Sequence, residues 1–131
     1  MNLRSMAIDE RMAFLHLARH AIAADGVITR DEEEWVEDCR RAAGLIGRER
    51  LDNLPWQDAA GRIQRLQSRR ITFLALCGLL YADQHLDDAE VAWIDALRQL
   101  WGLDEAFAEA CLNLTARQAA LRREAETLVM D

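Results

Sequence analysis

At 131 residues, with 51% hydrophobic and 30% charged residues, the chain has the make-up of one soluble folded domain, neither disordered nor two-domain. One Pro and six Gly are too few for a loop-rich all-β chain, and plentiful Ala, Leu, Arg and Glu favour helix, so an all-α fold is expected. The net charge of −7 is concentrated: residues 25–38 hold seven acids against Arg30 alone, and residues 83–95 hold five against no base, which argues against a nucleic-acid-binding surface there.

In chain order, the first helix is expected from about Ser5 to Ala24, with Met6, Phe14, Leu17, Ala18, Ala21 and Ile22 close to one stripe. Asp25-Gly26 ends it. Thr29-Arg30-Asp31-Glu32 reads as a capping box that opens a second helix, running to about Ala43 and closed by Gly44. A less regular spacer follows: a helical turn over Arg48–Asn53, a break at Pro55 and a modest helix from Trp56 to Leu66. Arg62, Arg65, Arg69 and Arg70 form a basic patch, read first as a solvated face and second as a dock for an acidic partner. Ser68 is the expected cap of the next helix, whose Ile71–Tyr81 stretch is apolar nearly all round and so belongs at the centre. Asp83 ends that helix, and Asp87-Asp88-Ala89-Glu90 opens another that closes at Gly102. Asp104 is expected to cap a helix through Leu112, and Thr115 another through about Met130.

The chain states one acidic phrase twice. At a constant offset of 58, Asp25 meets Asp83, Glu32 meets Glu90, Trp35 meets Trp93, Arg40 meets Arg98 and Gly44-Leu45 meets Gly102-Leu103. A repeat of this kind specifies one structural unit used twice. The expected architecture is therefore a single-domain bundle of about seven to eight helices around a pseudo-twofold core. It comprises repeat one over about 5–45, a spacer over 46–67, repeat two over 68–103 and C-terminal helices over 104–130.

Each acidic loop sets an Asp at the end of one helix and a Glu in the first turn of the next. Asp25, Glu32, Asp83 and Glu90 are thus candidate ligands of a divalent metal ion, since hard cations take carboxylates and loop carbonyls. An autonomous EF-hand is excluded, because Ala21, Ala23, Leu79 and Tyr81 stand where its leading acids should be. Two half-loops face to face would still share a site. His85 and Asp87 are further candidates, and a His nitrogen would tilt the site from Ca²⁺, Mg²⁺ or Mn²⁺ towards Zn²⁺. The bland reading stands beside this one: Glu at the third position of a helix is favoured by capping and by the positive helix end, with no metal.

The phrase Ala-Asp-Gly-x-Ile-x-x-x-Glu at 24–32, repeated in degenerate form at 82–90 with Gly-Leu behind each copy, resembles the TerB-like tellurite-resistance domain. Related domains stand at the front of DjlA-type co-chaperones. The resemblance spans about residues 5–115 and implies an all-helical fold with an acidic cluster that chelates metal. It also implies a bacterial stress role within a membrane-linked complex of other proteins. The matching positions are Asp25, Glu32, Asp83 and Glu90; the sequence departs at Gln84 and His85, where the first loop has Gly26 and Val27.

The expected function is a non-enzymatic metal-binding scaffold, with a metal-free interaction domain as the alternative. An enzyme is disfavoured: Glu-x-x-His pairs, a nucleophile elbow, a phosphate loop and HExxH are all missing from the sequence. Cys39, Cys77 and Cys111 form no CxxC and read as buried free thiols. The N-terminus lacks the apolar core of a secretory signal, and the longest apolar run is about half a membrane span. A cytoplasmic protein is expected, reaching the inner face of the membrane only through partners.

Overall fold

Residues 3–23, 30–42, 44, 54–81 and 88–130 are described by the computed structural model. After a 3-10 turn at Leu3–Ser5 they form six α-helices: α1 Ile8–Ala23, α2 Arg30–Ala42, α3 Trp56–Gly61, α4 Leu66–Tyr81, α5 Asp88–Trp101 and α6 Glu105–Met130. No strand occurs among the described residues, in line with the all-α expectation.

The most apolar segment takes the middle. Phe73, Leu76, Cys77, Leu79 and Leu80 of α4 are all buried, and α4 packs against α1, α5 and α6. Phe14, Leu15 and Leu17 of α1, Ile63, and Leu97 of α5 complete the innermost layer. Each such side chain contributes about 1.5–3 kcal/mol by leaving water, which is what gathers helices too short to persist alone.

Two buried polar side chains in this core, Thr72 and Trp101, are partnered. The Thr72 hydroxyl lies 3.6 Å from the Met6 sulfur. The Trp101 indole N–H donates to the Ala60 carbonyl at 3.0 Å, so α5 is tied to α3 by a hydrogen bond as well as by packing. That carbonyl also accepts the Ile63 N–H, so both of its lone pairs are engaged.

Several helix bounds fall at the offset of the sequence repeat. α1 and α4 start and end 58 positions apart, and α2 and α5 start 58 positions apart. Gly44 and Gly102 both close their helices at positive φ, 74° and 63°. Their N–H groups donate to Arg41 and Gln99, again equivalent positions. At Gly102 the Leu103 N–H adds a bond to Arg98 O, which makes a Schellman ending. Even a surface ion pair recurs, Arg40–Glu37 in α2 and Arg98–Asp95 in α5.

Three expectations need correction. The tail is one helix, not two: Thr115 is buried within α6, and its hydroxyl donates back to the carbonyls of Cys111 and Leu112 rather than capping a new start. The expected Trp56–Leu66 helix stops at Gly61, where the chain turns so that Ile63 is fully buried. Ser68 lies inside the first turn of α4, not before it. The turn expected over 48–53 lies outside the described residues. With the tail counted once, the described residues hold six helices against the seven to eight expected.

Candidate functional site

Of the proposed ligands, Asp25, Asp83, His85 and Asp87 lie outside the described residues. Glu32 is the third residue of α2, and its side chain is likewise not described. Glu90 is the third residue of α5 and is half-buried. The equivalence of the two glutamates thus extends from sequence to helix position. Ala21 and Leu79, two of the places where an EF-hand would need ligands, are core residues. Among the described residues, no group of three or more His, Cys, Asp or Glu side chains is gathered as a metal site requires. Nor is any described helix long and apolar enough to cross a membrane.

A third first-turn glutamate is seen in full. Glu10 is the third residue of α1 and only 6% exposed. Its Oε1 accepts the Ala7 N–H at 2.9 Å, the reach-back half of a capping box without the usual Ser or Thr. The same carboxylate accepts hydrogen bonds from Arg65 and from the Ser68 hydroxyl, both near the start of α4. The Arg65 guanidinium holds the Glu10 carboxyl below the ordinary carboxylate value; burial opposes this, and the Ala7 and Ser68 donors reinforce it. Glu10 and Ser68 are themselves 58 positions apart. The sequence offered a signal here, a Glu at the third helical position, but not the partner on a distant helix.

The arginine patch is exposed at Arg62, Arg65 and Arg70, as a solvated face should be, yet three of its members are also engaged. Arg65 is taken by Glu10. Arg69 donates to the Ile63 carbonyl at 2.7 Å and lies 5.9 Å from the centre of the Trp101 ring. Arg70 sits 5.5 Å above Phe107. Guanidinium groups suit this use because they stack on rings while donating in the plane.

An aromatic cluster joins α1, α3 and α5. His20 lies 6.1 Å from Trp56 and 5.3 Å from Trp93, and the two indoles meet edge to face at 5.7 Å. Burial lowers the proton affinity of His20, so its ring is neutral near pH 7. With the three ring centroids 5.3–6.1 Å apart, the cluster packs α1, α3 and α5 together. Cys77 and Cys111 are free and buried, and burial raises both thiols, which removes them as nucleophiles. A groove of about 470 Å³ runs between α5 and α6, lined by Phe73, Val91, Ile94, Asp95, Arg98 and Leu112 among others. Arg98 within it is occupied by Asp95 and by the Leu103 carbonyl.

No family model matches the chain, and no curated protein or solved structure matches it either.

Proposed function

We propose that the chain is a non-enzymatic module of the TerB-like kind that binds a divalent cation and serves as a protein-interaction scaffold in a bacterial stress response. The carrying observation is the repeat itself. α1 and α4 end at equivalent residues, α2 and α5 begin at equivalent residues, and each acidic phrase occupies the step between them. In this reading Asp25 with Glu32 and Asp83 with Glu90 form two half-sites, with His85 and Asp87 as further ligands. The cation, Ca²⁺, Mg²⁺, Mn²⁺ or Zn²⁺, would join the halves of a pseudo-twofold core. Contact between Glu10 and Ser68, equivalent positions of the two repeats, supports such an axis. The exposed acids Glu33, Glu34, Glu37 and Asp38 of α2 would face protein partners, and the motif likeness favours a cytoplasmic protein that would reach the membrane only through them.

Metal analysis of the purified protein with calorimetric titration of the four cations tests this reading. Saturable binding that is lost in Asp25→Ala and in Asp83→Ala supports it; heat-silent titration with all four abandons it. A second reading keeps the scaffold and drops the metal. One observation favours it: a third-position glutamate of this chain, Glu10, caps its own helix and pairs with Arg65 near the start of α4. Binding that survives both Ala variants would leave the function and move the site.

A further inference from the structure

Beyond Thr115, α6 leaves the body of the molecule. Phe107 rests 6.1 Å from Phe73, and Thr115 lies against Gly78, so the first half of α6 is covered by α4. α4 ends at Tyr81, and every residue of α6 from Ala120 to Met130 is exposed. This arm is about 16 Å of exposed helix, and so short a stretch gains little from its own hydrogen bonds.

The arm is not polar all round. The stripe that meets α4 through Phe107 and Cys111 continues at alternating steps of three and four through Leu114, Gln118, Leu121, Ala125 and Leu128. That is the spacing of a coiled-coil seam. Its leucines become more open along the arm, 37%, 63% and 80% exposed. Gln118 is the one polar residue on the seam, a placement that selects register rather than strength.

Flanking charge chooses the occupant and its direction. With the leucines at d positions, the g positions carry Arg117 and Glu124, and Arg122 falls at e. Two arms side by side in the same direction would set Arg117 of each against Arg122 of the other, like against like. Two arms in opposite directions set Arg117 of each against Glu124 of the other, and bring the two Gln118 side chains within a turn of the axis. We infer that the outer half of α6 is the docking surface for a second copy of this chain, paired antiparallel along the Leu114–Leu128 seam.

The seam covers about 22 Å, so the interface falls at the small end of specific ones, below about 1,200 Å². The dimer is accordingly reversible and visible only with rising concentration. The inference does not depend on metal binding.

Sedimentation of the full chain over roughly 1–300 µM is the test, a range suited to a weak dimer. A monomer–dimer equilibrium is expected, and Leu121→Glu should give a monomer throughout with an unchanged helical circular dichroism spectrum, since that side chain is largely exposed. Arg117→Glu or Glu124→Arg alone should weaken dimerisation about tenfold, through two lost and two repulsive pairs. The double exchange R117E/E124R should restore it. A wild-type chain that stays monomeric, or a Leu121→Glu dimer of undiminished strength, overturns the inference. Strengthening by Arg117→Glu alone overturns the antiparallel arrangement, because it would mean pairing with Arg122.

Discussion

Glu10 is an acid whose charge is held at the contact of α1 with α4 by Arg65, Ser68 and the Ala7 N–H. Its folded pKa is below its unfolded value, so its contribution is fully present above the ordinary carboxylate range, about pH 4.5, and is lost as pH falls through the folded value. Glu10→Gln should therefore lower stability near neutral pH by about 1 kcal/mol, a modest figure because Arg65 is largely open to water. It should also flatten the acid limb of the stability curve, as followed by urea unfolding from about pH 7 down through and below the ordinary carboxylate value of about 4.5. The two buried tryptophans of α5 offer a contrast at the same scale. The Trp101 N–H is spent on Ala60, whereas the Trp93 N–H is buried with no partner among the described residues. Trp101→Phe should cost about 0.5–1.5 kcal/mol for the lost hydrogen bond, because the Ala60 carbonyl keeps the Ile63 N–H, on top of lost packing. Trp93→Phe removes a polar group that gains nothing and should cost less; thermal melts of the pair would rank them.

At the level of elements, the helices were largely legible because helix starts and stops are local. Hydrogen bonds four residues apart, a first-turn acid and a closing glycine sit within a few positions of one another. Gly44 and Gly102 close α2 and α5 as the sequence reading expected. One misread element, α6, failed for an equally local reason: a Thr reads as a cap, but inside a helix its hydroxyl can bond back to the preceding turn. Glycine makes the distinction measurable. At Gly102 nothing lies within 4 Å of an added Cβ, yet φ is +63°, so Gly102→Ala should destabilise by about 1–2 kcal/mol through the backbone alone. At Gly78, mid-helix, an added Cβ would meet Thr115 at an ordinary 3.8 Å, so Gly78→Ala should stabilise by about 0.5–1 kcal/mol. Opposite shifts in melting temperature are the expected outcome.

For the whole molecule, the sequence alone determined that the chain is helical, that its halves repeat at an offset of 58, and that its most apolar helix is central. These follow from composition and periodicity, which act along the chain. The tertiary structure decided which arginines of the patch are fastened and to what, that His20 sits against two indoles, and that the α6 seam runs past its cover. The candidate site was legible only as residue types: spacing places Glu32 and Glu90 in first turns, while a shared cation needs two distant loops at ligand distance. Glu10 and Arg65 make the reason concrete, being 55 positions apart and joined only because α1 meets α4. Local pattern specifies which helices form, but side-chain meetings between them depend on how those helices cross, and no spacing along the chain encodes that directly.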